Sequence, residues 1–402
     1  MPAPTRRALI IGGSLGGLLA ANLLARKGWD VEVFEQASEE LAGRGAGIIS
    51  HPELFEALKK IGVPLDDSYG VDIPLRGTLD RSGAMVATLA SQQIFTSWGR
   101  LYQLLKAALP GERYHFGHSF ESLVQDAGGV TACFANGSAA RGDLLVGADG
   151  IRSAVRAQLA PEAKLFYAGY VGWRGLADQN AVSPGAHRVL CDKLAFCLPP
   201  REMMLCYPVA GFTNSTRAGE RCLNFVWYRP AEESKELPRL CTDAEGKCHG
   251  TSIPPPLIRP EILAEMRRAA EELLAPQIAE IVRLARQPFF QPIFDVEAPH
   301  MAFGRVALLG DAAFVARPHV GMGVTKGAGD ALALADCVRG GTGKIAAALE
   351  RYETRRLRFN AGVVARGREL GAWLQGSNSP EAKRHHTPEA VMREIAVTQG
   401  LG

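Results

Sequence analysis

Short, continuously apolar runs that stop at a glycine-containing turn recur three times along the chain. A run of this kind is typical of a strand that is buried on both faces of a sheet. The first and third turns lead into further apolar stretches with helical spacing, so the pattern predicts an α/β fold. The runs and the turns after them are Ala8–Ile11 before Gly12–Gly17, Leu144–Val146 before Asp149-Gly150, and Val306–Leu309 before Gly310-Asp311.

The first unit has the order of a dinucleotide-binding site. A predicted helix over Leu18–Lys27 is followed by a strand over Val31–Phe34, which ends on Glu35, 23 positions after Gly12. In such a unit the pyrophosphate lies at the helix N-terminus and the acid hydrogen-bonds the adenosine ribose. The second fingerprint glycine is Ser14 here, and its hydroxyl could itself contact a phosphate. The motif alone leaves open a glycine-rich turn in another kind of α/β protein.

The two later turns are ambiguous when each is taken alone. Asp149-Gly150 and Gly310-Asp311 are ordinary turn sequences, but an acid at the end of a buried strand could also hold a chain of sugar-like hydroxyls. After Asp311, Gly321 and Gly323 would let backbone N–H groups approach a flat ring closely. The order of the three segments therefore favours a flavin site.

Changes in periodicity divide the chain into two kinds of segment. Helical patterns over Pro52–Ile61 and Leu101–Leu109, and a hairpin from about Phe120 to Phe134, accompany the nucleotide-type units. Alternating, aromatic strand-like runs occur in the insertions between them. We expect a Rossmann-like FAD-binding domain with an inserted, mostly-β substrate domain. The predicted segments are 1–70, 98–165 and 291–376 for the FAD-binding domain, 71–97 and 166–290 for the substrate domain, and 377–402 for a C-terminal tail.

Three segments have weaker patterns. Residues 231–256, with three successive prolines at their end, are predicted to form a long surface loop. A lid is one interpretation of this loop, and a mobile excursion without a function is the favoured one. Residues 261–286 predict one amphipathic helix, or two that are interrupted at Pro276. The tail after Gly376 is polar and predicted to be frayed, although residues 388–397 could form a short helix.

Composition indicates an enzyme that acts on small molecules. The net charge of +3 and 22% charged residues argue against a nucleic-acid or membrane partner. No apolar run approaches the roughly 18–20 residues that span a bilayer, and no signal peptide precedes the first strand, so a cytoplasmic location is expected. None of the eight cysteines belongs to a C-x-x-C pair. Cys241 and Cys248, with His249 nearby, could bind a metal or form a disulfide, but the ligand set is incomplete and we expect no metal.

With these motifs identified, the chain resembles the class A flavoprotein aromatic hydroxylases, the single-component monooxygenases related to para-hydroxybenzoate hydroxylase. The glycine motif, the Asp-Gly motif and the Gly-Asp motif carry the resemblance, which runs from about Ala8 to about Leu374. Within the family, the chain is similar to the branch that hydroxylates dihydroxypyridines. That likeness rests on Gly12-Gly13-Ser14, Pro52-Glu53-Leu54, Phe95-Thr96-Ser97, Glu112–His115, Tyr167–Val171, Trp173-Arg174-Gly175, Leu223-Asn224-Phe225 and Arg317-Pro318-His319.

The resemblance implies tightly bound FAD, reduction by NADH or NADPH, and reaction with O2 to a C4a-hydroperoxyflavin that hydroxylates an electron-rich ring. The sequence does not separate NADH from NADPH. The family often forms dimers, so a homodimer is expected. The residues implied for FAD are Gly12, Gly13, Ser14, Leu15, Gly17, Glu35, Gln36, Arg44, Asp149, Asp311, Pro318, Gly321, Met322 and Gly323.

His319 is the predicted catalytic residue, because its near-neutral pKa suits deprotonating a hydroxypyridine or binding its oxygen. A structural histidine bonded to a loop carbonyl is the alternative. Candidates for the substrate chamber are Trp173, Tyr207, Phe225 and Tyr228, although aromatic residues on strands are often simply core.

Two positions depart from the family pattern. Phe314 stands where the family commonly has histidine after Gly-Asp-Ala-Ala. Near the helix at residue 100, the position of an FAD-contacting arginine aligns with Trp98, and Arg100 is out of register. Neither family role is therefore transferred to this chain.

The main hypothesis is an FAD-dependent monooxygenase that hydroxylates a small hydroxylated N-heteroaromatic, with a dihydroxypyridine as the first candidate. A flavin-dependent dehydrogenase or reductase without oxygen insertion keeps the same fold and remains an alternative. A non-catalytic flavin-binding sensor is a third hypothesis, although a sensor has no need of a closed aromatic chamber.

Overall fold

A computed structural model describes residues 6–41, 47–338 and 345–397 of the chain. The strands are β1 (Arg7–Ile11), β2 (Asp30–Phe34), β3 (Gly47–Ser50), β4 (Val71–Leu79), β5 (Met85–Ser97), β6 (Tyr114–His115), β7 (Phe120–Asp126), β8 (Gly129–Phe134), β9 (Ala139–Gly142), β10 (Leu144–Gly147), β11 (Phe166–Asp178), β12 (Lys193–Cys197), β13 (Met203–Val209), β14 (Cys222–Pro230), β15 (Phe289–Glu297), β16 (Ala302–Phe303), β17 (Val306–Leu308) and β18 (Phe314–Val315). The helices are α1 (Leu15–Ala25), α2 (Pro52–Ile61), α3 (Trp98–Ala107), α4 (Ala154–Leu159), α5 (Pro184–Leu190), α6 (Glu236–Leu240), α7 (Pro260–Leu273), α8 (Pro276–Leu284), α9 (Gly323–Cys337), α10 (Ile345–Gly371), α11 (Pro380–Arg384) and α12 (Pro388–Glu394).

The three apolar runs become neighbouring strands of one six-stranded sheet. Its order is β16-β17-β10-β1-β2-β6, and all strands except β16 are parallel. Helices α1 and α9 pack on each other beside this sheet, and α2 and α10 pack on α9. Because parallel strands are covered on both faces, their side chains are nearly all apolar, as Leu9 and Val146 are, each fully buried. The predicted Rossmann-like α/β architecture is confirmed.

Helix α1 begins at Leu15, three positions before the predicted start. Ser14 is its N-cap and keeps extended backbone angles (φ −80°, ψ −170°), so the glycine turn leads directly into the helix without a linker. This brings the N-terminus of α1 next to the carboxyl ends of β1 and β10, where a dinucleotide phosphate lies in this kind of unit.

The second large element is a nine-stranded sheet in the order β18-β15-β11-β14-β13-β12-β4-β5-β3. One face packs against α5, α7 and α8 in a separate apolar core, and the other face is turned toward the FAD-binding domain. Strands β3 and β15 lie in segments predicted for the FAD-binding domain but pair with this sheet, so the sheet extends beyond residues 71–97 and 166–290. A three-stranded sheet, β7-β8-β9, extends the predicted hairpin by one strand.

The structure corrects one of the weaker predictions and decides between the alternatives of another. Residues 231–256 contain a short helix, α6, and a bridge between Thr242 and Cys248, so they are not one continuous loop. Residues 261–286 form two helices, and Pro276 is the first residue of the second because its missing N–H costs nothing there. In the described part of the chain, no helix is long and apolar enough to cross a membrane.

The C-terminal segment is packed and not frayed. Val391, Met392 and Ile395 are buried against the large sheet. Arg76 on β4, fully buried, donates from Nη1 to the carbonyl oxygens of Met392 (2.9 Å) and Ile395 (2.7 Å). Burial lowers the pKa of Arg76 to about 10, which still leaves the guanidinium charged at neutral pH. A single buried cation therefore anchors the tail through backbone carbonyls that a polar sequence pattern does not reveal.

We expect Arg76→Gln to release this segment and to lower the free energy of unfolding by about 3 kcal/mol, because buried carbonyl acceptors lose a charged donor. Chemical denaturation and mass analysis of tryptic cleavage after residue 384 would measure both effects. Arg81→Gln, at an exposed position just beyond the same strand, is the matched control. Equal stability and equal cleavage in the two variants would contradict the anchoring role.

Candidate active site

A cavity of about 770 Å³ lies between the two large sheets. The predicted site residues that line it are Gln36, Asp149, Tyr207, Tyr228, Asp311, Pro318, His319, Gly321 and Gly323. Other predicted residues do not line the cavity and belong to the adjoining N-terminal turn or to the core: Gly12, Gly13, Ser14, Leu15, Gly17, Glu35 and Met322. Arg44 lies outside the described residues.

The N-terminal turn has room for backbone only. Gly12 has φ +100°, and a Cβ there would lie 2.5 Å from the carbonyl oxygen of Ala148. A Cβ on Gly17 would lie 1.9 Å from the Gly12 oxygen, so both positions require glycine. Ser14 makes no side-chain capping bond to α1, which leaves its hydroxyl and the first N–H groups of the helix able to bind a phosphate. The turn thus fits the pyrophosphate of a dinucleotide.

Glu35 holds this turn from the end of β2. Its two carboxylate oxygens accept hydrogen bonds from the N–H groups of Gly13 (2.8 Å) and Ala37 (2.9 Å), and the side chain is buried. Each oxygen keeps a second lone pair, which a ribose hydroxyl could use. The acid that the sequence predicts as a ribose ligand is therefore also a clamp on the glycine turn.

The carboxylate of Asp149 accepts hydrogen bonds from residues that follow it in the chain. Its Oδ1 accepts from the Ser153 hydroxyl (2.6 Å) and its Oδ2 from the N–H of Ala154 (2.8 Å), so it binds the N-terminus of α4, whose N-cap residue is Ser153. Burial raises the pKa of Asp149, and these hydrogen bonds act in the opposite direction. The backbone of Gly150 and Ile151 then lines the cavity beside it.

Asp311 faces the cavity with its side chain about half exposed, and a buried lysine lies behind it. The Nζ atom of Lys326 is 3.9 Å from Asp311 Oδ1, is fully buried, and has no hydrogen-bond partner within the described residues. A buried ammonium without a partner is costly, so an anionic ligand nearby would stabilise it. The sequence analysis missed Lys326, although a lysine among the small and apolar residues at the start of α9 is a visible anomaly.

The segment Pro318–Gly321 forms a tight turn at the cavity wall. Gly321 has φ +64°, and a Cβ there would lie 2.8 Å from Ala396 and 2.9 Å from Ile49. Immediately before the turn, Arg317 Nε donates to Asp295 Oδ2 (2.9 Å), and both side chains are buried. The turn is therefore fixed from the large sheet and from the C-terminal segment.

His319 is a buried, neutral imidazole on this turn. Its Nε2 is 2.7 Å from the Tyr170 hydroxyl, whereas its Nδ1 has no partner within the described residues. Burial, assisted by the nearby charge of Arg317, lowers the pKa of His319 to about 3. Arg317 also hydrogen-bonds the Tyr170 oxygen, which favours the tautomer with its proton on Nδ1. His319 then offers Nδ1–H as a free donor.

The structure places the four predicted chamber residues on opposite faces of the large sheet. Tyr207 and Tyr228 line the cavity, but Trp173 and Phe225 pack in the core on the opposite face of the large sheet. The reason is strand periodicity, because side chains an odd number of positions apart point to opposite faces and Phe225 is three positions from Tyr228. Trp173 pairs directly with Trp227 on the core face.

The cavity wall includes residues that the sequence analysis did not predict. Arg174 projects from β11, and Ile395 and Ala396 come from the C-terminal segment. Ala396 has φ +55° and donates its N–H to the His319 carbonyl (2.7 Å). No local motif signals these contacts, because each depends on how distant segments pack.

The remaining predictions concern metal binding and two departures from the family pattern. Among the described residues, no group of three or more His, Cys, Asp or Glu could hold a metal ion. Cys241 and Cys248 are free thiols, and His249 bonds Asp243 (2.7 Å).

Phe314 is buried in β18, and Arg100 donates to the Ser68 carbonyl (3.0 Å), so neither residue lines the cavity.

Known proteins resemble this chain over nearly its whole length. A family model described as an FAD binding domain matches residues 5–172 and 265–367, and one described as FAD binding domain-like matches residues 167–295. The 2,6-dihydroxypyridine 3-monooxygenase of Paenarthrobacter nicotinovorans is 32% identical over 95% of this chain and 94% of its own length. The solved 2,6-dihydroxypyridine-3-hydroxylase from Arthrobacter nicotinovorans has a TM-score of 0.86 at 33% identity, over 94% and 95% of the two chains. HpxO of Klebsiella pneumoniae, solved with FAD and uric acid, shares the fold with a TM-score of 0.77 at 24% identity, over 97% and 93%.

We expect Lys326→Met, which keeps the length of the side chain but removes its charge, to weaken FAD binding about 10-fold because the anionic cofactor loses a buried cation. Titration of FAD into the apoprotein by calorimetry would give the dissociation constant. Lys27→Met, in the turn that follows α1, is the control. An unchanged dissociation constant for Lys326→Met would mean that the Lys326 ammonium interacts with Asp311 and does not contribute to FAD binding.

Proposed function

This chain belongs to the family of FAD-dependent aromatic monooxygenases, and from that premise we propose that it hydroxylates a small hydroxylated N-heteroaromatic. The first candidate substrate is 2,6-dihydroxypyridine, the compound named for the relative that is 32% identical to this chain. The proposed reductant is NADH or NADPH and the oxidant is O2. FAD, when bound, would supply the activation of O2 that the side chains cannot.

One observation carries the proposal: a single cavity is lined both by residues expected to hold the flavin and by aromatic residues of the large sheet. Asp311, Pro318 and Gly323 lie on its FAD-domain side, and Tyr207 and Tyr228 lie on the side of the large sheet. A volume of about 770 Å³ falls in the range of sites for small molecules and cofactors. Such a cavity could bring a small ring next to a bound flavin.

The side chains would orient the ring and stabilise its charge. His319 stays neutral and can donate from Nδ1 to a ring oxygen of the substrate, and the Tyr170 hydroxyl fixes the orientation of the imidazole through Nε2. Backbone N–H groups around Gly321 and Gly323 would face the flavin ring and stabilise its negative charge after reduction. With so low a pKa, His319 acts by hydrogen bonding and not as a base that gains a proton near pH 7.

The proposed reaction predicts that 2,6-dihydroxypyridine accelerates nicotinamide oxidation by the FAD-loaded protein in air, with a product heavier by one oxygen atom. Absorbance at 340 nm and mass spectrometry would follow the two. Acceleration without an oxygenated product would make the compound an effector only. Turnover that persists without air and with another acceptor would identify a dehydrogenase, and no acceleration would reject this substrate.

We expect His319→Gln to lower kcat for hydroxylation about 100-fold while FAD stays bound, because a hydrogen-bond donor to the reacting ring is displaced. Steady-state kinetics would measure this change, with the exposed His187→Gln as control. Unchanged kcat in His319→Gln would leave the histidine a purely structural role.

The lowered pKa of His319 also has a consequence for stability. Between pH 6.5 and about 3 the folded protein keeps this imidazole neutral while the unfolded chain protonates it, so the unfolded state binds more protons. Stability therefore falls as the pH is lowered through this range. Denaturation at pH 7 and pH 5 should show a smaller loss for His319→Gln than for the wild type, and equal losses would contradict the neutral imidazole.

A further inference from the structure

The C-terminal segment forms one wall of the cavity, although it belongs to neither large sheet. Helix α12 ends at Glu394, and the next two residues, Ile395 and Ala396, line the cavity. The other walls are strands of the large sheet and the turn Pro318–Gly321. A strand in the middle of a sheet is held by its neighbours on both sides, whereas this wall is a short piece of chain after a helix. Its side chains can therefore differ without any change in the sheets.

Backbone atoms hold these two residues in place. Arg76 Nη1 donates to the Ile395 carbonyl (2.7 Å), and Gln93 Nε2 donates to the Ala396 carbonyl (3.2 Å). On the other side, the Ala396 N–H donates to the His319 carbonyl (2.7 Å). None of these bonds uses the side chain of Ile395. The conformation of the segment is thus fixed whichever side chain position 395 carries.

The backbone at Ala396 is strained. It has a left-handed conformation (φ +55°), which residues with a Cβ adopt only rarely. Such a conformation persists where the surroundings fix it, and it is commonly found at ligand sites. Immediately before it, Ile395 is only 1% exposed and belongs to the same apolar cluster as Tyr207, Tyr228 and Val320. The isoleucine is therefore packed firmly into the cavity wall.

The sheet side of the cavity is also closely packed. Leu205, Val226 and Tyr228 line it and are each at most 7% exposed. Leu205 of β13 pairs directly with Val226 of β14, so these side chains cannot separate without breaking the strand pairing. Position 395 is under no such restriction. A smaller residue there enlarges the cavity with little disturbance of the fold.

We propose that Ile395 sets the upper size of the substrate ring, so that the enzyme accepts single-ring N-heteroaromatics and excludes bicyclic ones. The inference rests on the proposed function for the class of ligand. A branched side chain in a closely packed wall excludes a larger ligand by overlap, because the surrounding residues do not make room for extra ring atoms. A smaller side chain at this position removes the overlap and leaves the polar groups of the cavity unchanged.

The test compares two ligands that differ only in size, at equilibrium and without turnover. The single-ring ligand is 2,6-dihydroxypyridine. The bicyclic ligand is 1,3-dihydroxyisoquinoline, which keeps both hydroxyls beside the ring nitrogen and adds a fused ring. FAD-loaded wild type, Ile395→Ala and Ile395→Val are titrated with each, and flavin absorbance reports binding. The control is Ile262→Ala, because Ile262 is also 1% exposed but packs in the core on the opposite face of the large sheet.

We expect Ile395→Ala to bind the bicyclic ligand at least about 10-fold more tightly than wild type and the single-ring ligand about 3-fold more weakly, because contacts to the smaller ring are lost. Ile395→Val should give intermediate values, and Ile262→Ala should change neither affinity. FAD content and melting temperature show that each variant is folded. Tryptic cleavage after Arg384 at the wild-type rate shows that the segment stays docked, and Ile395→Val provides the test if the alanine variant releases it.

A ratio of the two dissociation constants that is unchanged in both Ile395 variants would overturn the inference. So would wild type that binds the bicyclic ligand as tightly as the single-ring one, or a loss of FAD affinity in place of a change in ligand affinity. Wild type that binds neither ligand would overturn both the inference and the proposed substrate class. The expected binding pattern without hydroxylation would uphold the size limit and overturn only the proposed reaction.

Discussion

Asp295, fully buried on β15, is the constraint on which the geometry of the site depends. It accepts from Arg317 at Oδ2 (2.9 Å) and from Arg368 of α10 at Oδ1 (2.6 Å). Removing such charges from water is costly, so their value lies less in stability than in allowing one arrangement. Because Arg317 directly precedes Pro318, a carboxylate of the large sheet fixes the turn that presents His319. The position of the turn relative to the chamber is therefore set across the boundary between the two domains.

The two faces of the large sheet have different roles: one lines the cavity and the other packs in the apolar core. Along β11, Arg174 lines the cavity and Tyr170 bonds His319, while Trp173 packs in the core beneath α8. The core face is filled with large apolar side chains, and this permits a polar and incompletely packed cavity face without loss of the fold. A one-residue slip of the strand would exchange the two faces, which explains why the register must be held by neighbours on both sides.

The parts of the fold that sequence predicts are those whose signal is local. The glycine turn at Gly12–Gly17 and the apolar run before Gly310 each carry their own pattern, and the α/β architecture follows from them. The packed tail was missed because its anchor, Arg76, is more than 300 positions away. Trp173 and Phe225 were wrongly predicted to line the chamber, because their aromatic character was considered without the alternation of side chains between the two faces of a strand. Arg174 was noticed only as part of a family motif, since the absence of a partner is visible only in three dimensions.

Two cations near the cavity, Lys326 and Arg174, place positive charge at separate positions of the site. Lys326 lies near Asp311 at the end expected to hold the cofactor, and Arg174 lies at the end expected to hold the ring. Lys326 Nζ and Arg174 Nε are each buried without a hydrogen-bond partner among the described residues, so each carries a desolvation cost. An anionic ligand that relieves this cost binds more tightly than its contacts alone would provide, whereas a neutral ligand leaves the cost in place. Positive charge at these two positions would thus favour anionic over neutral ligands.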